Sequence, residues 1–199
     1  MMTGSQTLRR CIALILGLGV ALSAYASSEV AIMSANLAKA KDGNPPGLYL
    51  DLSVEFDLPR SVNDALTRGI PLYFVTEFIL ERQRWYWVDK PVVESTLISR
   101  LSYSPLTRQY RLSRGGLSQS FDSLKDALDV LKNIHQWRVS SRPSIDTPDN
   151  YEANVRIKLD TTQLPLPLQV TIGDNDWDIS SEWYSLTLTE QALSADDSN

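Results

Sequence analysis

Residues 48–58 read LYLDLSVEFDL. Leu48, Leu50, Leu52, Val54, Phe56 and Leu58 alternate with Tyr49, Asp51, Ser53, Glu55 and Asp57. Successive side chains of an extended chain point to opposite faces, so this pattern predicts a strand with one buried and one wet face. Strands of that kind belong to antiparallel sheets. The chemistry open to the fold is narrow from the start. Among 199 residues there is one cysteine, Cys11, and one histidine, His135. Zinc sites of the Cys/His type, Ser-His-Asp triads and Cys-His pairs all need more of these residues. Carboxylate, Ser/Lys and Tyr chemistry remain.

Outward from that strand, Pro59 ends the run. Ser61 is placed to cap a short helix over about 61–68 that buries Val62, Ala65 and Leu66. Gly69 would stop it, and Pro71 prevents continuation. Residues 70–87 (IPLYFVTEFILERQRWYW) are rich in β-branched and aromatic side chains and predict a long strand. Asp89-Lys90-Pro91 turns the chain. Residues 92–103 and 106–113 predict two strands joined around Ser104-Pro105, and Gly115-Gly116 breaks the run. Ser123 and Asp126 resemble a capping box for a second helix over about 123–135. Its apolar face is Leu124, Ala127, Leu128, Leu131 and Ile134. Beyond Arg142-Pro143, strands are predicted at 151–160, at 164–172 (an edge strand, given Pro165 and Pro167) and at 177–188.

The expected fold is α+β and predominantly antiparallel β, either a single sheet or sandwich-like, with two short helices. The content of 43% hydrophobic and 22% charged residues suits one globular domain with a substantial core. We place that domain at 48–188, after a polar lead-in at 27–47 that ends in Asp42-Gly43-Asn44-Pro45-Pro46-Gly47. An acidic tail at 189–199 follows and is expected to be disordered.

Residues 1–26 carry the pattern of a secretory signal. Arg9-Arg10 precede an apolar run (CIALILGLGVAL), and Ala24-Tyr25-Ala26 supplies the small residues required for cleavage after Ala26. The run has 12 residues, whereas spanning a bilayer takes roughly 20. We therefore expect a cleaved, soluble periplasmic protein exported by the general secretory route, with no transmembrane span in the mature chain. Loss of Arg9 and Arg10 leaves 17 basic against 24 acidic residues, a formal charge of −7. That balance argues against nucleic acid as a partner.

Charge is unevenly distributed. Residues 82–114 hold Arg82, Arg84, Lys90, Arg100, Arg108, Arg111 and Arg114 against Asp89 and Glu94, whereas residues 174–199 hold seven carboxylates and no base. One reading is a basic, aromatic binding surface built from Arg84, Trp85, Trp87, Arg100, Arg108 and Arg111, with arginine forks suited to carboxylates or phosphates. The other is internal pairing of those arginines with acidic strands. Asp174, Asp176 and Asp178 fall short of a calcium loop, which needs further ligands and a bidentate Glu, and a turn explains them; no metal site is expected. His135 is expected at a helix end. Glu77 and Glu81 share one face of their strand and are the carboxylates on which a hydrolase of envelope polymers would draw. No nucleotide-binding glycine loop is present, so we expect no cofactor and no catalysis.

The order of RGIPLYF (68–74), RWYW (84–87), RLSY (100–103), LTRQYRL (106–112), GGL (115–117), YEANVRIKLD (151–160), Gln163-Leu164-Pro165 and Ser181-Glu182-Trp183 resembles the bacterial exported family named domain of unknown function 4390. Leu166 departs from it, standing where a Lys is expected between Pro165 and Pro167. The resemblance implies an exported bacterial protein and no catalytic residue. It also offers one candidate partner, the periplasmic domain of a nitrogen-regulation-type membrane sensor kinase, alongside other envelope proteins. N-terminal sequencing of the protein recovered from cells checks the address. The expected first residue is Ser27, and a chain that begins at Met1 and stays with the inner membrane would contradict it.

Overall fold

The computed structural model describes residues 30–41, 43–82, 90–141, 151–165 and 175–188. The alternation at 48–58 becomes strand β2 (Leu48–Glu55), in which Leu48, Leu50, Leu52 and Val54 are buried; Phe56, just beyond it, is buried as well. Before it lies β1 (Ala31–Lys39), antiparallel to β2. The stretch read as a polar lead-in therefore contains a strand. A register shift after Ile32 interrupts its repeat of two; Leu37 is buried, and Ile32 and Ala35 pack against the core.

Helix α1 (Arg60–Thr67) buries Val62, Ala65 and Leu66 as expected. Its N-cap is Pro59, not Ser61; Ser61 sits inside the helix and donates to Asp176 Oδ2 at 3.1 Å. At the other end the Gly69 N–H donates to the Leu66 carbonyl and the Ile70 N–H to the Ala65 carbonyl. This is a Schellman cap, and it requires the positive φ of +87° that Gly69 supplies.

The chain then forms β3 (Leu72–Arg82), β4 (Lys90–Ser104), β5 (Gln109–Arg114) and β6 (Leu117–Phe121). Gly115 and Gly116, both at positive φ, make the two-residue turn between β5 and β6. The glycine pair thus joins two strands where the sequence reading saw only a break. Helix α2 (Leu124–Lys132) is capped by Ser123 Oγ, which accepts from the Asp126 N–H as predicted. It ends three residues earlier than expected, because Asn133–Ser140 leave it as strand β7. Strand β8 (Tyr151–Leu159) matches its prediction closely. Of the strand expected at 177–188, β9 (Tyr184–Leu186) and a single bridge at Ser180 are formed. Of the one expected at 164–172, residues 164–165 are not extended into a sheet, and the remainder lies outside the described residues. The signal segment 1–26 and the tail 189–199 also lie outside them.

Two antiparallel sheets result, with strand orders β1-β2-β7 and β6-β5-β4-β3-β8-β9. The fold is α+β and mostly antiparallel β, and both sheets contribute to one buried cluster. Phe56, just past β2, and Phe74 of β3 meet with ring centroids 5.5 Å apart. Leu72, Phe74, Thr76, Phe78 and Leu80 form the inward face of β3. Its other face, and those of its neighbours in the six-stranded sheet, carry the polar side chains.

Gly47 marks a close approach of backbones. A Cβ there would lie 2.2 Å from the Ser140 carbonyl oxygen and 2.8 Å from Arg138 Nε. Backbone cannot yield as a side-chain tip can, so Gly47→Ala overpacks the entry to β2. The expected cost is about 1–3 kcal/mol, read as a fall of several degrees in melting temperature, and an unchanged melt would contradict the contact.

Candidate functional site

Residues opposite one another in register share a face. On the outer face of the six-stranded sheet Tyr73 lies opposite Arg100, and Val75 lies between Ile98 and Lys158. Glu77 lies between Thr96 and Arg156, and Ile79 between Glu94 and Asn154. Further out, Arg111 of β5 is opposite Ser102 on one side and Ser120 on the other.

The basic residues of 82–114 separate into distinct roles on this frame. Arg100 is exposed, with its guanidinium 5.9 Å from the Tyr73 ring centroid. Arg111 is exposed on β5. Arg108 is exposed in the β4–β5 turn, where it takes a left-handed φ of 55° and its N–H donates to the Ser104 carbonyl. Among the described residues no carboxylate pairs with Arg100, Arg108 or Arg111. Arg82 lies over the Tyr151 ring, 5.6 Å from its centroid. Arg84, Trp85 and Trp87 lie outside the described residues.

Arg114 turns the other way. Its Nε donates to Ser99 Oγ at 2.8 Å, and its Nη2 reaches the carbonyls of Leu131 at 3.1 Å and Val130 at 3.4 Å. Burial pushes its pKa down from the ordinary arginine value. The carbonyls belong to the last turn of α2, where the helix dipole favours a cation. Arg114 is a structural tie between sheet and helix.

A second cluster was missed by the sequence reading. Glu77 accepts from Arg156 Nε at Oε2 and from Lys158 Nζ at Oε1, the latter at 2.9 Å. Trp183 stacks on Arg156, with the guanidinium carbon 4.3 Å from a ring centroid. Glu77, Arg156 and Trp183, with Glu94, Ser95 and Thr96, line a shallow hollow of about 230 Å³. Period two in YEANVRIKLD places Arg156 and Lys158 outward, but only the β3–β8 register shows that they meet Glu77. Partial burial pushes the Glu77 carboxyl up, while the hydrogen bonds and charges of Lys158 and Arg156 outweigh it and hold the pKa below its ordinary value.

Other candidates do not converge. Glu81 does not line the hollow. Asp176 accepts from Ser61, and Asp178 from Ser180 Oγ at 3.0 Å. Asp174 lies outside the described residues, among which no group of three or more His, Cys, Asp or Glu could hold a metal ion. His135 sits in β7 rather than at a helix end. Its Nδ1 is 3.8 Å from Asp51 Oδ1 and its side chain is 75% exposed. No helix among the described residues is long and apolar enough to cross a membrane.

Comparison with known proteins yields one family: that described as "Domain of unknown function (DUF4390)" matches residues 27–187. No curated protein and no solved structure matches the chain.

The Glu77 cluster carries a pH dependence of defined sign. A depressed carboxyl stabilises the folded state above its ordinary value of 4.5 and loses that contribution as pH falls through the lower folded-state value. Urea unfolding should therefore show wild type more stable than Glu77→Gln at neutral pH, with the gap closing as pH falls below 4.5. A gap that widens on acidification would contradict the arrangement.

Proposed function

The chain belongs to the family of domain of unknown function 4390, and on that footing we propose that it is an exported periplasmic interaction module without catalytic activity. The observation that carries this reading is the set of exposed arginines, Arg100, Arg108 and Arg111, which have no internal counter-charge among the described residues. Guanidinium forks left in water present ready donors for carboxylates. The partner is an envelope protein offering an acidic segment, with the periplasmic domain of a membrane sensor kinase as the leading candidate from the family resemblance. Export rests on the Arg9-Arg10, apolar and Ala24-Tyr25-Ala26 order.

A second reading, a carboxylate-dependent hydrolase of envelope polymers, draws on Glu77 and Glu94 lining one hollow. Against it, both oxygens of Glu77 are engaged by cations and its pKa is lowered, the opposite of what a general acid needs. Turnover of a cell-wall glycan by the wild type, lost in Glu94→Gln, would favour this second reading.

The interaction reading is tested by R100E, R108E and R111E in one chain. Exposed substitutions of this kind change stability by about 0.5 kcal/mol or less each, so the fold should survive. Capture of envelope partners should be lost. Wild-type capture should also weaken between 0.1 and 1 M salt, as the screening length shrinks from about 10 to about 3 Å. A destabilised variant that still captures the same partners would overturn the reading.

A further inference from the structure

Edge strands expose unpaired backbone N–H and C=O groups, and natural sheets blunt them with bulges, brevity, charge or proline. Three of the four described sheet edges here follow that rule. β1 has a register shift between Ile32 and Ser34. β7 is interrupted by Gln136 at φ 55° and pairs with β2 through two irregularities. β9 is three residues long.

β6 is different. Its five residues, LSQSF, pair with β5 in unbroken register and include no charge and no proline. Leu117 is 80% exposed, and Ser118, Gln119 and Ser120 are exposed with it. No described strand lies on its outer side. It is a regular edge, about 17 Å long at 3.4 Å per residue, left open among the described residues where the other three are blunted.

The exposed arginines lie beside this edge. Arg111 is directly opposite Ser120 on the outer face, and Arg108 adjoins the end of β5 that pairs with Phe121. A strand added outside β6 would run about 9.6 Å from β5, two strand spacings. Ser118 and Ser120, the β6 side chains on that face, are small. The long Arg111 side chain can lean across them to a carboxylate on the added strand. A second copy of this chain is a poorer occupant, because edge-to-edge pairing of two β6 strands would bring Arg108 and Arg111 of both copies to the same seam.

We propose that β6 is a docking edge that accepts an extended acidic segment of a partner protein by strand addition, with Arg111 and Arg108 reading carboxylates on its outward face. The proposal rests on the interaction reading above and adds the mode of recognition. Backbone hydrogen bonds would supply the register, and the arginines the selection for acidic side chains.

The probe is a fluorescently labelled, end-blocked decapeptide of alternating Thr and Glu, titrated by anisotropy into the full chain. Two further peptides carry N-methyl groups on every Thr or on every Glu, so that one or the other set of N–H donors is blocked with charge unchanged. The expected result is saturable binding by the parent. One methylated peptide should bind at least tenfold more weakly while the other stays within about twofold, since alternate N–H groups of an added strand face its neighbour. Arg111→Glu should weaken the parent peptide at least tenfold. Equal binding of all three peptides would overturn strand addition and leave a charge-driven surface, as the interaction reading alone requires. No binding of the parent, or dimerisation of the free chain through β6 in sedimentation, would also overturn it. The interaction reading itself stands or falls separately, on envelope capture by the triple charge reversal.

Discussion

The division of β3 into an inward and an outward face is the constraint on which the other elements depend. Leu72, Phe74, Thr76, Phe78 and Leu80 face the core, and Tyr73, Val75, Glu77, Ile79 and Glu81 face outward. β3 pairs with β4 on one side and β8 on the other, so its register fixes the faces of both neighbours. A slip of one residue would drive Glu77 and Glu81 inward and expose two phenylalanines. Burying unpaired carboxylates costs several kcal/mol apiece, which removes the alternative. The outer face, with its separated charged clusters, exists because the inner face admits no other register.

Arg114 shows how the same chemistry serves a different end a few residues from an exposed arginine. Arg111 and Arg114 are three apart on β5, so they project from opposite faces. The outward one meets water. The inward one meets Ser99 Oγ and the carbonyls that end α2, groups that would otherwise be orphaned at a helix terminus. A strand packed under the end of a helix needs a donor there, and a guanidinium fills several acceptors at once. The richness of residues 82–114 in arginine is therefore partly architecture.

Legibility in the sequence followed the strength of local pattern. β2 and β8 alternate cleanly, β3 is rich in β-branched and aromatic side chains, and α1 and α2 present helical apolar faces, so each could be read directly. β7 could not, because Ile134 satisfies the helical spacing of Leu131 and Leu128 while serving as an inward strand residue. Gln136 at positive φ then inserts an extra residue before Trp137 and Val139, which erases the repeat of two. β6 is an edge whose side chains are mostly exposed, and β1 is an edge whose repeat is interrupted by a register shift, so neither carries a continuous burial pattern to read. For the candidate site, composition revealed the basic stretch but not its division into exposed and buried arginines. The Glu77–Arg156–Lys158 cluster depends on pairing across 79 positions in the chain, which no local signal encodes.

The outer face is electrostatically lopsided for a reason that follows from that pairing. On the β8 side Glu77 meets two cations within its own sheet, and Trp183 covers one of them, so each cation there has a partner. On the β5 side the neighbours across the strands are Ser102, Ser113, Ser118 and Ser120, none of which can neutralise a guanidinium. Serine at these positions takes little room, and the carboxylate that follows β6, Asp122, accepts from Gln109 Nε2 at 3.2 Å. Placing Asp or Glu opposite Arg111 would have been the ordinary cross-strand solution, stabilising by a few tenths of a kcal/mol to about 1 kcal/mol. The chain carries 24 acidic residues and places none there. Short hydroxyls beside long cations, ending at an unblunted edge, leave backbone and side-chain donors facing the same side of the molecule. An incoming extended segment can satisfy both together, and neither set alone distinguishes it from water.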